Sequence, residues 1–388
     1  MLIICETAIS NPEPYNAWKD MKIASIVGAR PQFIKLAPVS RELRKHHREV
    51  IIDTGQHYDD EMAGAFFSEF KIPKPDYSLS IGSGDHGDQT GRMLIALETT
   101  LRTEKPDLVV VFGDTNSTLA GALSAAKMSI PVAHVEAGLR SYDRNMPEEI
   151  NRILTDQMST LLFCPTNASV ENLKREGITD GVNVVGDVMV DALEESKKSA
   201  ERHSKILKGL SLEPKKYQFM TLHRPSNVDN KKNLESILEA VGASKEKTVF
   251  SVHPRTSKMM REFGLDQRLP ANLIIIRPVS HMDSIWLTAN ASKVLTDSGG
   301  LQKEAYLLST PCITLRDTTE WIETVNAGWN ILVGSKGDRI TSAIRSFEPP
   351  KYRPKIFGLA GASKRIAHII DHFLTEGQTM PRHEKLWS

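Results

Sequence analysis

The 388-residue chain is short of cysteine, with three, and of aromatic side chains, at 6%. Cys5, Cys164 and Cys312 are odd in number, far apart and without CxxC spacing. That argues against a disulfide framework and a thiolate metal site and points to a reducing cytoplasm. Net charge is almost nil: 49 Lys+Arg against 48 Asp+Glu leaves +1. No global field therefore recruits nucleic acid or an anionic membrane, and any anion must be held locally. Long apolar runs are lacking too. Asp107–Phe112 and Asn272–Ile276 are strand-length, far below the ~20 residues of a membrane span, so the sequence does not read as an integral membrane protein. Residues 1–20 begin with a short apolar stretch without basic residues. They do not make a secretory signal and read as an extension ahead of Met21. Neither a glycine-rich dinucleotide fingerprint nor a P-loop occurs, which weakens a nicotinamide-dehydrogenase or NTPase reading. No cluster has the ligand spacing of a transition-metal site, so neither metal nor cofactor is expected.

What is present is an ordinary soluble composition, 40% hydrophobic and 25% charged, long enough for two or three domains. From Met21 onward, short β-branched runs alternate with helix-length amphipathic segments, the pattern of successive βα units and a mostly parallel sheet. The first half offers strands at Lys22–Val27, Glu49–Asp53, Leu108–Phe112, Val132–Val135, Thr160–Phe163 and Asn183–Val185. The second half offers Gln218–Leu222, Thr248–Val252, Leu273–Ile276, Lys293–Thr296, Cys312–Leu315 and Ile331–Val333. Two doubly wound α/β lobes follow, over 21–190 and 191–360, with a hinge near 186–216. In the remainder, 361–388, Ile366, Ile369, Ile370 and Phe373 share one face of a helix over Ala362–Leu374, expected to pack back on the first lobe. Such lobes bind ligands at the carboxyl ends of their strands and so share one cleft.

The chemistry-bearing residues fall at those strand ends. Gly28–Lys35 follows a strand and opens a helix at Pro31; its backbone N–H groups, with Arg30 and Lys35, suit a phosphate. Asp114 and Glu136 end two further strands, and Glu148 and Glu149 stand near a helix start. Singly, each has a plain explanation: Asp114 as a helix cap, Glu136 as the partner of Arg140, the acidic pair as a complement to the helix dipole. Together with His57 and Arg30 on neighbouring loops they fit general acid/base chemistry, because mutual repulsion and desolvation raise one carboxyl towards neutrality. In the second lobe, His223-Arg224 and His253-Pro254-Arg255 suggest a diphosphate clamp. Asp297–Glu304 carries Ser298-Gly299-Gly300 at a helix start, where phosphate can approach the amides, with Glu304 placed to take both ribose hydroxyls.

In order from Lys22 to Gly334, the stretches Gly28–Lys35, Thr54–His57, Gly113–Thr115, His134–Arg140, Pro147–Arg152, His223-Arg224, His253-Pro254, Asp297–Glu304 and Arg316–Glu320 resemble the non-hydrolysing UDP-N-acetylglucosamine 2-epimerases. The resemblance implies two Rossmann-like lobes of glycosyltransferase-B type, a cytoplasmic homodimer, and reversible conversion of UDP-GlcNAc to UDP-ManNAc without a nicotinamide cofactor, for polysaccharide or glycan synthesis. It assigns acid/base roles to Asp114, Glu136 and Glu148, and a supporting role at the diphosphate or sugar to His223. It assigns UDP-sugar binding to Arg30, Lys35, His253, Ser298, Gly299, Gly300 and Glu304. The chemistry needs such a set. The C2 proton is not acidic until the C1–O bond to UDP lengthens, so leaving-group stabilisation accompanies deprotonation. Anti elimination then gives a 2-acetamidoglucal, and re-addition with protonation on the opposite face gives the epimer. Where the common bacterial pattern has an Arg this chain has Trp321, and Asp59 and Ser83-Gly84 replace positions that hold a regulatory second UDP-GlcNAc in some relatives. These forms look closer to archaeal members and to epimerases of UDP-2,3-diacetamido-2,3-dideoxyglucuronate. A retaining glycosyltransferase of the same fold, a hydrolysing epimerase and a nucleotide-sugar sensor are the other readings; Gln56 favours the non-hydrolysing branch.

Overall fold

The computed structural model describes residues 21–56 and 72–376. Residues 1–20 and the candidate His57, with Asp59, lie outside them. Seven parallel strands build the first lobe: β1 (Lys22–Val27), β2 (Arg48–Asp53), β3 (Tyr77–Ser78), β4 (Leu108–Phe112), β5 (Val132–Val135), β6 (Leu161–Cys164) and β7 (Val182–Val184), in the order β3-β2-β1-β4-β5-β6-β7. Six parallel strands build the second: β8 (Tyr217–Thr221), β9 (Lys247–Ser251), β10 (Leu273–Ile276), β11 (Lys293–Thr296), β12 (Cys312–Thr314) and β13 (Asn330–Leu332), in the order β10-β9-β8-β11-β12-β13. Both continuous apolar runs read from the sequence are strands; every residue of β4 is buried, as a central parallel strand requires, whereas β10 lies at the sheet edge and is only partly buried. Several boundaries move by one residue, and β3 has no counterpart among the expected strands. It is only two residues long and exists by pairing Tyr77 and Ser78 with Ile52 and Asp53, which no local pattern encodes.

Successive side chains go to opposite faces of each sheet. In the first lobe Ile23, Val27, Val110 and Phe112 pack towards helix Arg30–Leu43, while Ala24, Ile26, Val109 and Val111 pack towards helices His86–Glu104 and Asn116–Lys127. In the second, Met220, Phe250, Leu295 and Ile313 lie on one face, and Phe219, Val249, Val294 and Cys312 on the other. Strand order reverses between β1 and β4 in one sheet and between β8 and β11 in the other, so a crevice opens at the carboxyl ends of each pair. The registers Ile26↔Val111 and Phe112↔Val135 bring the loops after β1, β4 and β5 to the same edge.

The stretch 186–216 is occupied largely by helix Val188–His203, which lies between the lobes. Val188, Met189 and Ala192 join the first-lobe core, while Leu193 packs on Ile285 and Leu308 of the second. Helix Ala362–Glu376 inserts Ala362, Ile366, Ala367, Ile370 and Leu374 into the first-lobe core. Its start is fixed by Asp191, which accepts from the Ser363 N–H at 2.8 Å and the Ser363 hydroxyl at 2.6 Å. Among the described residues no helix is long and apolar enough to cross a membrane.

Candidate active site

A cavity of about 580 Å³ lies between the two sheets' carboxyl ends. The first lobe lines it with Arg30, Lys35, Asp114, Glu136 and Glu148, and the second with His223, His253, Ser298, Gly299, Gly300 and Glu304. The Gly28 loop is laced to its neighbours. Gln32 Oε1 accepts from the Gly28 and Ala29 N–H groups at 2.8 and 3.0 Å, and Gln32 Nε2 donates to the Phe112 carbonyl at 2.9 Å. These two N–H groups are therefore already engaged, and Arg30 and Lys35 carry the positive charge of this loop. A Cβ on Gly28 would fall 1.9 Å from Thr54 Oγ1 and 2.4 Å from Ser117 Oγ, so only glycine permits the close approach. Gln56 accepts from the Ser117 N–H at 3.0 Å and its hydroxyl at 2.7 Å, pinning the next loop.

Of the candidate-site carboxylates, Asp114, Glu136 and Glu149 each stand beside a cation. Asp114 Oδ2 pairs with Arg152 Nη1, and the Asp114 carbonyl accepts from Asn151 at 2.9 Å. Glu149 is buried and takes the Ser141 N–H, the Tyr142 N–H and Arg152. Burial pushes its carboxyl up, but the Ser141, Arg152 and Tyr142 donors outweigh that and hold it below the ordinary range. Glu149 thus braces Arg152, while Glu148 is exposed at the cavity. Glu136 sits in the left-handed region at φ 77°, uncommon for a side chain larger than glycine and frequent at functional sites. It pairs with Lys35 and accepts from Lys303, of the opposite lobe, at 3.1 Å. The Arg140 partnership expected from sequence does not form. Arg140 spans Asp156 at 2.7 Å and both oxygens of Glu176 at 2.7 Å, because Asp156 is buried directly behind its turn. Asp156 also lies 2.7 Å from His134 Nδ1, whose Nε2 lies 2.7 Å from the Gly113 carbonyl. This string props the turn that carries Asp114 from beneath. Lys35 is brought towards neutrality, lowered to about 8 by burial and by the Lys303 ammonium.

In the second lobe, buried Asp297 organises the turn after β8. It accepts from the His223 N–H at 3.1 Å, the Arg224 N–H at 3.0 Å and the Asn227 amide at 3.0 Å, and lies 3.2 Å from His223 Nδ1. Burial pushes its carboxyl up, but His223 and these donors hold it below the ordinary range. The His223 ring is thereby set with Nε2 left for the cavity. His253 caps helix Pro254–Glu262, its Nδ1 accepting from the Arg255 N–H at 3.2 Å. Burial and the neighbouring His223 lower its pKa, so it is a neutral donor through Nε2. Arg255 does not join a clamp. It pairs with Asp229, Nε at 3.0 Å, and of the arginines beside the two histidines it is Arg224 that lines the cavity. Ser298 caps helix Gly299–Leu307 through the Leu301 N–H at 3.4 Å. A Cβ on Gly300 would meet only Ser298 Oγ, at 3.9 Å, whereas one on Gly299 would fall 1.7 Å from Glu320 Oε1. An anion can therefore reach this helix start over Gly300. Glu304 lines the cavity beside His281, at 3.4 Å.

The sequence profile described as UDP-N-acetylglucosamine 2-epimerase matches residues 41–371. The chain belongs to the UDP-N-acetylglucosamine 2-epimerase family. A UDP-N-acetylglucosamine 2-epimerase homolog of Methanococcus maripaludis is 54% identical over 357 residues, covering 90% of this chain and 99% of that one. A UDP-2,3-diacetamido-2,3-dideoxy-D-glucuronate 2-epimerase of Pseudomonas aeruginosa is 44% identical, covering 90% and 99%. The crystal structure of Methanocaldococcus jannaschii UDP-GlcNAc 2-epimerase in complex with UDP-GlcNAc and UDP superposes with a TM-score of 0.82 at 46% identity, covering 91% of this chain and all of that one. The fold is the two-lobe α/β arrangement of glycosyltransferase-B type.

In this family member, sequence reading missed Lys303 and Arg152 as parts of the site and singled out Trp321 only as standing where relatives have an Arg. Arg152 and Trp321 lie inside or beside quoted motifs, but their partners are set by folding. Lys303 had a usable signal: it stands one turn after Gly299 and Gly300, hence on the helix face that meets the cleft. Among the described residues no group of three or more His, Cys, Asp or Glu is arranged to hold a metal.

Proposed function

We propose that this protein interconverts UDP-GlcNAc and UDP-ManNAc by anti elimination and re-addition of UDP. The observation that carries the reading is the placement of Asp114, Glu136 and Glu148 across one cavity from His223, His253 and the Ser298–Gly300 helix start. UDP lies with its phosphates over Gly300, near Arg224, His223 and His253, and with its ribose at Glu304. The sugar then extends towards the first-lobe carboxylates. A base there removes the C2 proton; that electron pair forms the C1–C2 double bond, and the C1–O pair departs with UDP, where cationic and N–H donors stabilise it. Reversal, with the proton delivered to the other face of C2, gives the epimer. Two proton-transferring groups on two faces are needed, and the first lobe supplies three carboxylates and Lys35.

A second reading, epimerisation of UDP-2,3-diacetamido-2,3-dideoxyglucuronate by the same steps, is favoured by the 44% identity to the Pseudomonas enzyme. We further infer a cytoplasmic homodimer serving polysaccharide synthesis. Exposed Ile95, Ile150 and Leu154 on two first-lobe helices supply apolar surface for a second copy. Proton NMR in deuterated water tests both substrates. Deuterium at C2 with appearance of UDP-ManNAc supports the first reading. Turnover of the diacetamido-uronate alone supports the second, release of free sugar means hydrolysis, and silence in both tubes refutes epimerisation.

A further inference from the structure

The two connections between the lobes meet beside Lys303. The first leaves β7 through Gly186 and Asp187 into helix Val188–His203, and the second reaches helix Ala362–Glu376 through Phe357 and Gly358. They are joined by the Asp187 N–H donating to the Phe357 carbonyl at 3.1 Å. The two glycines, at φ 79° and 78°, are packed so closely that a Cβ on Gly358 would lie 3.2 Å from Gly186 Cα. Lys303, 3% exposed, reaches into this crossing from the second-lobe helix Gly299–Leu307. Its ammonium pairs with Asp187, donates to Glu136 Oε1 at 3.1 Å, and sits 4.5 and 5.5 Å from the ring centroids of Trp321 and Phe357. One desolvated cation thus touches both connections, its own lobe's indole and the carboxylate of the opposite lobe. A buried ammonium is tolerated only with such a full set of partners, and relative movement of the lobes dismantles the set.

We propose that Lys303 is a positioning residue that couples the lobe junction to the reaction centre, keeping Glu136 in its working place only while the lobes are together. This rests on the acid/base role given to Glu136 above. The tests are Lys303→Met, which keeps length and removes charge, and Asp187→Asn, which keeps an acceptor for the Met189 N–H and removes the other pole. In both, small-angle X-ray scattering of the ligand-free protein is expected to give a larger radius of gyration than wild type. Turnover is expected to fall about 10²-fold in kcat, the cost of a misplaced reacting group, with KM and the calorimetric affinity for UDP near wild type. Unchanged scattering, or unchanged kcat, in both variants overturns the coupling. Loss of UDP binding in step with kcat also overturns it, since that puts Lys303 in the nucleotide site. Wild-type protein silent on both UDP-sugars refutes the functional reading instead, and scattering then decides the bridge alone.

Discussion

Replacing Glu136 by glutamine removes the carboxylate held between the Lys35 and Lys303 ammonium groups. Lys303 keeps Asp187, so the loss falls mainly on Lys35, which is 8% exposed. Breaking a buried pair by deleting one partner costs about 3–5 kcal/mol. The pH dependence follows from the same pair. With Glu136 present, Lys35 titrates at about 8 in the native state against 10.5 for a free lysine, and without it the native value drops further. Below the native value, folded and unfolded chains both hold the proton, and the cost of the buried charge is borne in full. Above it the native state sheds the proton while the unfolded chain keeps it, so stability rises with pH. Measured by urea unfolding, the deficit of Glu136→Gln relative to wild type should therefore be about 3–5 kcal/mol below the variant's lowered Lys35 value and smaller at about pH 8, above which both proteins gain alike. In parallel, kcat at neutral pH should drop by about 10²–10⁴, the usual worth of a general acid or base, while UDP still binds. A deficit that is equal at both pH values, or below about 1 kcal/mol at each, would refute the account of Lys35 and Glu136 as a mutually dependent pair.

Asp156→Asn should destabilise the first lobe by about 3 kcal/mol or more, read as a lower urea midpoint, because Arg140, His134 and the Gly138 N–H all lean on that carboxylate. Burial raises and His134 and Arg140 more strongly lower the Asp156 pKa, so its contribution is present above the ordinary aspartate range and is lost as pH falls through the depressed native value. Gly299→Ala puts a methyl group where Glu320 Oε1 lies and drives that carboxylate towards the helix start. Calorimetry should show UDP binding weakened about tenfold, equivalent to ~1.4 kcal/mol, with the thermal midpoint little changed; unaltered binding would place the phosphates elsewhere.

Much of the fold was legible because parallel strands leave uninterrupted β-branched runs, as in the fully buried Leu108–Phe112 and the partly buried edge strand Leu273–Ile276. The strand ends were legible too, since Gly113-Asp114 and Ser298-Gly299-Gly300 break those runs with turn and cap chemistry. What sequence could not give was pairing over distance. Arg140 has Glu136 four residues away, yet binds Asp156 and Glu176, and Arg255, beside a site histidine, turns to Asp229. The carboxylate partners of Lys303 are 116 to 167 residues distant, at Asp187 and Glu136, separations that no local periodicity records. Titration likewise depends on assembled burial, which lowers Lys35 to about 8.

The helix Ala362–Glu376 has a consequence for the order in which the molecule can be made. Five of its side chains complete a core whose other members lie between Met21 and Ala192, yet the whole second sheet is translated in between. On the ribosome the second lobe has all its strands before the first lobe's apolar face is covered. Domains generally fold from the amino end as they emerge, and exposed apolar surface invites aggregation. Here the earlier-made lobe waits for its last helix, so premature termination after helix Gly337–Ser346, which brings Ile340, Ala343 and Ile344 into the second-lobe core, should leave a finished second lobe attached to an unfinished first one.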